Sequence, residues 1–437
     1  MSLPRYPEYK HSGVEWLGEV PGHWAVVPLK YVVDLRSGGT PSKERVDYWN
    51  GTIPWASSKD LKVDELHDTV DHVTELALED GAAAVVAAGA SLVVVRGMIL
   101  AHSFPVVRTM RPMAINQDLK AVLPRDSVDG RFLSWLLRGS ARESLSRLDE
   151  AGHGTKALRM DAWTSMELPI PPVNEQVSIS KFLDRETAKI DALVAEQQRL
   201  IELLQEKRQA VISHAVTKGL NPDVPMKDSG VEWLGEVPAH WLLDRLQLHC
   251  RFVSGRAHEP FVDEDGEHLC VTSRFVSTGG VSARRCTVNL EPALRGDSLV
   301  VMSDLPNGRA LARAYFVADD RSYAVNQRVC ALRPTRAHAR YLYYLIDRNP
   351  ELLRHDDGVN QTHLSNSDFL KPRFPFPPVD EQAAVASYLD AETERSSQLI
   401  ADAERMVAVL QERRAALITA AVTGQIDVRG LAAAEAA

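Results

Sequence analysis

Several loops in this sequence carry residues able to hold a phosphate or read a base edge. Ser37-Gly38-Gly39-Thr40-Pro41-Ser42-Lys43 brings two glycines, hydroxyls and a cation together. Glycine lets backbone N–H groups approach a phosphate closely, and Gly38, Gly39, Thr40, Ser42 and Lys43 are contact candidates on that ground. The same composition also suits a plain turn. Tyr48-Trp49-Asn50-Gly51-Thr52-Ile53-Pro54-Trp55-Ala56-Ser57-Ser58-Lys59 follows. Aromatic residues at this density belong more often to a core, so its polar tail, Ser57, Ser58 and Lys59, is the contact candidate. Gly152-His153-Gly154-Thr155-Lys156 adds His153, Thr155 and Lys156. In the second half of the chain, Ser254, Arg256 and His258, then Ser273 and Arg274, and finally Asn360, Gln361 and Thr362 occupy matching positions. Arg suits bidentate contact with guanine, Asn and Gln suit adenine, and Lys and Thr more often meet phosphate.

Catalytic signatures are missing. The sequence holds no G-x-x-x-x-G-K-[ST] loop, no G-x-G-x-x-G after a strand, no G-x-S-x-G and no H-E-x-x-H. Pro171-Pro172-Val173-Asn174 shares residue types with the Asn-Pro-Pro-aromatic loop of amino-methyltransferases, but the order differs and no aromatic follows. No catalytic residue and no metal ligand is assigned. Cys250, Cys270, Cys286 and Cys330 form no C-x-x-C pair and read as reduced thiols of a cytosolic domain. The N-terminus lacks an apolar signal segment, and the longest apolar run, residues 82–95, is too short to span a bilayer, so no membrane role is expected. The net charge of −9 weighs against phosphate binding, although only the local charge of the binding face counts. Residues 251–340 contain 13 Arg, no Lys and 10 acidic residues, a locally positive stretch. GC-rich coding would give the same preference for Arg.

These loops recur because the chain is a repeat. Ser12-Gly13-Val14-Glu15-Trp16-Leu17-Gly18-Glu19-Val20-Pro21 returns unchanged as Ser229 to Pro238, 217 residues later, and each copy leads into His-Trp (His23-Trp24, His240-Trp241). Pro171-Pro172-Val173-Asn174-Glu175-Gln176 matches Pro377-Pro378-Val379-Asp380-Glu381-Gln382 at an offset of 206, and Ala215-Val216-Thr217 matches Ala421-Val422-Thr423 at the same 206. A constant offset across that segment marks an element that tolerates no insertion. Before it the offset drifts, as surface loops allow: Asn116-Gln117 pairs with Asn326-Gln327 at 210.

The constant segments read as long helices. Asn174 and Asp380 are N-cap candidates, with Glu175 and Glu381 in the first turn. A heptad seam follows through Ile179, Leu183, Ile190, Leu193, Leu200, Leu204 and Val211, with Glu186, Gln197 and Lys207 as polar members; Val385, Leu389, Leu399, Met406, Leu410 and Leu417 repeat it. About 40 residues make a rod of roughly 60 Å. Such a stripe needs another helix, and the other copy is the candidate, giving an antiparallel intramolecular coiled coil. The remaining segments alternate strand-like stretches, such as 25–35 and 92–100, with turns and one helix-like stretch, 128–148. The expected fold is α+β: a first module at 1–170, a long helix at 171–220, a second module at 221–376, and a second long helix with tail at 377–437.

As a set, the Ser-Gly-Val-Glu-Trp-Leu-Gly-Glu-Val-Pro openings, the Gly-Gly-Thr-Pro-Ser loop with Tyr48-Trp49-Asn50-Gly51, the Pro-Pro-x-x-Glu-Gln helix starts and the Ala-Val-Thr ends with Gln425-Ile426-Asp427 resemble the specificity subunit of type I restriction-modification systems. The resemblance implies two target-recognition domains in pseudo-twofold repeat, each reading half of a bipartite site on double-stranded DNA. It implies helices that set the gap and dock two methyltransferase subunits, with S-adenosylmethionine bound by those partners and ATP and Mg by restriction/translocase subunits. It implies no cofactor on this chain and a cytoplasmic location. The second module departs from the pattern, with Val253-Ser254-Gly255-Arg256 where Gly-Gly-Thr-Pro-Ser stood. Two other readings are a coiled-coil scaffold whose modules bind proteins and an orphan specificity subunit.

Overall fold

The computed structural model describes residues 3–150, 155–304, 310–354, 356 and 361–431. These form two compact units, residues 1–198 with 405–437 and residues 199–404. The division cuts across both long helices, so each unit is a globular module with one end of each helix.

In the first unit a five-stranded sheet runs in the spatial order Val33–Ser37, Leu119–Pro124, Ser91–Val94, Val106–Thr109, Glu65–Leu66. A four-stranded sheet runs Asp71–Val73, Trp49–Ala56, Met113–Ile115, Val85–Val86. Ser91–Val94 is buried at every position, the mark of a central strand. In the second unit the two sheets run Cys250–Ser254, Val329–Pro334, Ser298–Val301, Ala314–Phe316 and Arg284–Cys286, His268–Val271, Tyr323–Val325, Pro292–Ala293. The mixed α+β expectation holds in both. Stretch 25–35 is two strands, Ala25–Pro28 and Val33–Ser37, split by the helical turn Leu29–Val32. The helix expected at 128–148 breaks at Ser140 into Gly130–Gly139 and Ala141–Leu145. Asp129 starts it by accepting from the N–H groups of Arg131 and Phe132.

Two helices exceed 40 residues: α1, Val173–Lys218, and α2, Val379–Val422. Each begins earlier than the Asn174 and Asp380 caps imply. The Pro172 carbonyl already accepts from the N–H groups of Glu175 and Gln176, so Asn174 lies inside the first turn. The helices pair antiparallel. In the first unit the Arg414 guanidinium donates to Asp191 at 2.8 Å, while Ile179 and Leu183 share a core with Ile418, Ala421 and Val422. In the second unit Arg208 donates to Ser397 at 3.4 Å, and Ile212, Ala215 and Val216 share a core with Val385, Ala386 and Leu389. Arg208 and Ser397 are the 206-residue counterparts of Arg414 and Asp191, so the repeat makes the same helix contact twice.

The seam differs in detail from the expected one. Ile179, Leu183, Ile190, Val385, Leu389 and Leu410 are buried, and Leu204, Val211 and Leu417 half-buried. Leu193, Leu200, Leu399 and Met406 are instead 46, 42, 46 and 49 % exposed. Val194, Ile201, Ile400 and Val407, one residue later in each case, take the inward positions. Both members of each pair are apolar and both series keep alternating steps of three and four, so the sequence leaves the choice open and packing decides it. Buried Thr187 and Thr393 fill seam positions between the aliphatics, each hydroxyl donating to the carbonyl four residues back. The same shift puts half-buried Arg208 toward the partner helix in place of exposed Lys207, and Glu186 pairs with Arg185 and Lys189 on its own helix.

The repeated motifs lock the helix starts. Glu175, 4 % exposed, accepts from Trp24 Nε1 at 3.1 Å, is bonded to His23 Nε2 at 2.8 Å and accepts from the Tyr6 hydroxyl. Burial and the Glu175 carboxylate together push the Tyr6 phenol well above its ordinary range. Glu381 repeats the arrangement with Trp241 at 3.0 Å and His240 at 2.8 Å. The next residue staples the module on: Gln176 accepts from Asp129 N at 2.7 Å and donates to Pro171 O at 2.8 Å, and Gln382 does so with His338 N at 2.8 Å and Pro377 O at 2.8 Å. The strand pairs Ala25–Pro28 with Glu167–Ile170 and Leu242–Arg245 with Arg373–Phe376 close each module above its helix start.

Helix α2 ends at Gly424, where φ is +76° and an added Cβ would lie 2.3 Å from Pro21. The chain ends then meet: Asp427 N donates to Pro4 O at 2.8 Å, Arg429 lies 4.8 Å over the Tyr6 ring, and Val428 is fully buried. Helix α1 ends likewise at Gly219, with φ +78° and Trp241 beside it, but there the chain continues covalently into Met226–Asp228. Among the described residues no helix is long and apolar enough to cross a membrane. A permuted chain, with residue 431 joined to residue 3 through a flexible linker of about ten residues and new ends between Asn221 and Met226, should keep its circular-dichroism spectrum and a cooperative melt. Loss of that melt would show that the 219–226 connection is needed for folding.

Candidate nucleic-acid interface

In the first module the loop after Val33–Ser37 is fixed by close backbone approach. A Cβ on Gly38 would lie 2.0 Å from Ile115 O and 2.3 Å from Asn116 O, and Gly39 N donates to Ile115 O at 2.9 Å. The two tryptophans hold the loop from beneath: Trp55 Nε1 donates to Gly39 O at 3.0 Å and Trp49 Nε1 to Ser42 O at 3.1 Å, with their rings edge to face at 5.1 Å. Gly38 and Gly39 thus serve loop geometry. Thr40, Ser42 and Lys43 are exposed on its outer side, with the Thr40 hydroxyl bonded to Gln117.

The second module uses the same frame. A Cβ on Gly255 would meet Asn326 O at 2.1 Å and Val329 O at 2.6 Å, and Arg256 N donates to Val325 O at 2.9 Å. Buried Asn116 and Asn326 each turn their side-chain oxygen to a nearby backbone N–H, Asp118 at 3.2 Å and Gln327 at 2.6 Å. They shape the turn.

Two expected contact residues are withdrawn from the surface. Ser57, 5 % exposed, bonds Asp60 through both N and Oγ. His258, fully buried, lies 2.8 Å from Arg256 O through Nδ1 and accepts from Leu290 N at 3.0 Å through Nε2, which uses both ring nitrogens on its own loop. Ser58 is half-buried, and exposed Lys59 reaches Asp71 at 3.3 Å. Half-buried Thr155 leads into Lys156, which lies in a strand paired with Arg96–Gly97 and Leu148–Glu150. Ser254 lies exposed in Cys250–Ser254. Ser273 opens the short helix Ser273–Ser277, whose N-cap Thr272 accepts from Phe275 N at 3.2 Å, and Arg274 projects from it exposed. Gln361 donates to Ser303 at 3.1 Å, and Thr362 pairs with Asp304 across strands. His153 and Asn360 lie outside the described residues.

Sequence reasoning missed several cations. Arg36 and Arg96 in the first module, and Arg251, Arg284 and Arg328 in the second, are exposed, as are Lys43, Arg256 and Arg274. Among the described residues none of these eight side chains has a hydrogen-bond or ion-pair partner, whereas Arg333, Arg340 and Arg414 are all paired with carboxylates. A carboxylate brought within reach by the fold distinguishes the two sets, which is why composition alone did not. Unpaired surface cations keep their charge available to an anion.

The thiols are inert by burial, which pushes Cys250 up to about 12 and Cys270 to about 11 and raises Cys286 and Cys330 as well. Among the described residues no group of three His, Cys, Asp or Glu could hold a metal ion.

A family model described as "Type I restriction modification DNA specificity domain" matches residues 21–203 and 291–404. The type I restriction enzyme EcoR124I/EcoR124II specificity subunit of Escherichia coli is 29 % identical over 202 residues, 46 % of this chain and 47 % of that one, so the chain spans about half the length of that relative. The putative type I restriction enzyme MjaX specificity subunit of Methanocaldococcus jannaschii is 19 % identical over 446 residues, 98 % of this chain and 99 % of that one. A chain in a solved structure concerned with complex assembly and conformational transition of the type I R-M system shares the fold, with a TM-score of 0.64 at 17 % identity, covering 92 % of this chain and 98 % of that one.

The glycine approaches set a direct test. Gly38→Ala and Gly255→Ala each force a methyl group to within about 2 Å of a backbone carbonyl. Each should destabilise the chain by roughly 3 kcal/mol or more, read as a lowered melting temperature. An unchanged melt would mean that the loop yields.

Proposed function

The chain belongs to the family of type I restriction modification DNA specificity domains, and from that premise we propose that it reads a bipartite double-stranded DNA target and carries the methyltransferase subunits of a type I restriction-modification complex. One observation carries the reading. Two modules of like topology keep the same loop frame, Gly38 on Asn116 and Gly255 on Asn326, yet project different side chains from it. The first presents Thr40, Ser42 and Lys43; the second presents Ser254 and Arg256. Constant scaffold with changed side chains is what two readers of different half-sites require. The exposed, unpaired Arg and Lys of each module are the phosphate ligands of this reading, with Lys59, Thr155, Lys156, Ser273, Arg274, Gln361 and Thr362 flanking them; His153 and Asn360 stay in the set on the sequence argument.

The scaffold role is supported by what the long helices leave uncovered. Helix α1 exposes Leu193, Leu200 and Leu203, and α2 exposes Leu399, Met406 and Val409. Each residue of the second set is 206 after its counterpart. Equivalent apolar stripes on two equivalent helices suit two copies of one helical partner. In this reading the chain performs no catalysis. S-adenosylmethionine is held by the methyltransferase subunits, ATP and Mg by restriction/translocase subunits, and the complex works in the cytoplasm.

Replacing residues 25–165 with those of another family member should change one half of the methylated motif, read by long-read sequencing; a change in both halves would overturn the two-reader model. Binding by the assembled methyltransferase should weaken steeply with salt, and Arg328→Ala should lower the log–log salt slope by about 1. Salt-independent binding would favour the protein-interaction scaffold instead.

A further inference from the structure

The second module's loop holds a charge of the wrong sign for phosphate. Glu259 is exposed, a few residues past Gly255, the glycine that seats this loop on Asn326. Its Oε1 accepts from Asn326 Nδ2 at 3.0 Å. Asn326 is 4 % exposed, and its own side-chain oxygen accepts from Gln327 N, so the carboxylate is tied to the residue that shapes the turn. The preceding residue, fully buried His258, anchors the loop through both ring nitrogens. Pro260 follows with its φ held by the ring, and Phe261 N donates to His258 O at 2.9 Å. Glu259 is thus presented on a stiff turn, which lowers the entropy lost when it meets a ligand.

Its surroundings are cationic. Exposed Arg256 precedes it on the same loop and exposed Arg328 closely follows Asn326; among the described residues neither guanidinium has an ion-pair partner. Desolvation works against the charge of Glu259, yet the Asn326 bond and the nearby Arg328 guanidinium leave its carboxyl below the ordinary range, so it is ionised at neutral pH. A fixed carboxylate beside these cations repels the phosphates that they attract. What it can accept is an N–H donor. Asp263, Glu264 and Asp265 are exposed as well, but none of them is bonded to Asn326. The first module has Ser42 at the corresponding position, 217 residues earlier, with its hydroxyl accepting from Glu44 N at 3.3 Å. The frame is shared and the acidic group is not, as a contact with one half-site requires.

We propose that Glu259 reads one base of the second module's half-site, its Oε2 accepting from an exocyclic amine in the major groove, cytosine N4 before adenine N6. Oε1 is engaged by Asn326, which leaves a single acceptor for the base. Cytosine offers a lone donor on that edge. Adenine sets its amine beside the N7 acceptor, whose lone pair a carboxylate repels, and guanine O6 and thymine O4 are repelled outright. The inference rests on the reading that the chain recognises double-stranded DNA, and it names a specificity-determining residue within that reading.

The test uses the complete chain assembled with the methyltransferase subunits encoded in the same genome. The methylated motif is read by long-read sequencing, and base preference by competition among duplexes that carry each of the four base pairs at each position. The wild type should demand a G·C pair at one position of the half-site that replacement of residues 25–165 leaves unchanged. Glu259→Ala should relax that position, cutting the preference by roughly tenfold or more at an unchanged melting temperature. Glu259→Gln keeps an oxygen for Asn326 and turns an amide N–H outward, so it should move the preference from cytosine to a base that offers an acceptor, guanine or thymine. A side chain that only braced the loop would leave the Gln variant with the wild-type preference. Relaxation at an A·T pair keeps the amine contact and places it on adenine N6. If both variants keep the wild-type preference at every position, Glu259 is not a reader and the DNA reading stands. If the wild-type complex shows no sequence preference, both fall.

Discussion

The interaction on which the rest depends is a carboxylate held at the start of a helix. Glu175 is almost fully buried, and three side chains from the first 24 residues converge on it: Tyr6, His23 and Trp24. The helix N-terminus adds its own partial positive charge to those donors. Removing one partner of such a buried ionic group commonly costs roughly 3–5 kcal/mol, because the group left behind has lost water and gained nothing. The cluster joins segments about 150 residues apart in sequence, so it fixes where the opening of the repeat lies against the helix start. The neighbouring Gln176 takes hold of the module through Asp129 and Ser127. Glu381 and Gln382 do the same in the second unit.

Because the His, Trp, Glu and Gln of that clasp are shared by the two copies, with Tyr6 an addition of the first, the rest of each module is free to diverge. The strand pairs that close each module adjoin the clasp in sequence, at Trp24 and Pro171 and at Trp241 and Pro377, whereas the Gly38 and Gly255 loops follow other strands, Val33–Ser37 and Cys250–Ser254. A change from Thr40-Pro41-Ser42-Lys43 to Arg256-Ala257 alters what the loop presents and leaves the Gly-to-Asn approach beneath it unchanged. A protein built to recognise varied ligands needs this separation between what folds it and what it presents.

The fold was largely legible because its signals are redundant: a repeat, a constant offset, and 40-residue segments without Pro or Gly each point to the same architecture. The seam was legible in period but not in phase. Leu193-Val194 and Leu200-Ile201 offer two apolar choices at each step, and only the partner helix selects Val194 and Ile201. The candidate interface was less legible still. Ser57 and His258 have surface chemistry but are consumed by local bonds to Asp60 and to the Arg256 carbonyl. Trp49 and Trp55, rich in contact potential, spend their N–H groups on loop carbonyls. Conversely, Arg96 and Arg328 carry no motif at all and stand out only once the paired arginines around them have been identified.

The two units solve one mechanical problem with different chemistry. In the first, the module edge is tied to the helices by ions: Arg131 bonds Glu65 and Asp184 at 2.6 Å each, Arg414 bonds Asp191 and Asp64, and Arg138 donates to the Asp64 carbonyl at 2.6 Å. In the second, Arg340 bonds Asp390 at 2.6 Å and lies 4.7 Å over the rings of both Phe316 and Tyr343, with Tyr344 donating to the same carboxylate. Asp191, which receives Arg414, is replaced there by the neutral Ser397. Partly exposed ion pairs weaken as salt rises, whereas ring contacts and buried area do not. The first module's hold on its helices therefore depends on ionic strength more than the second's, although the repeat gave both the same starting plan.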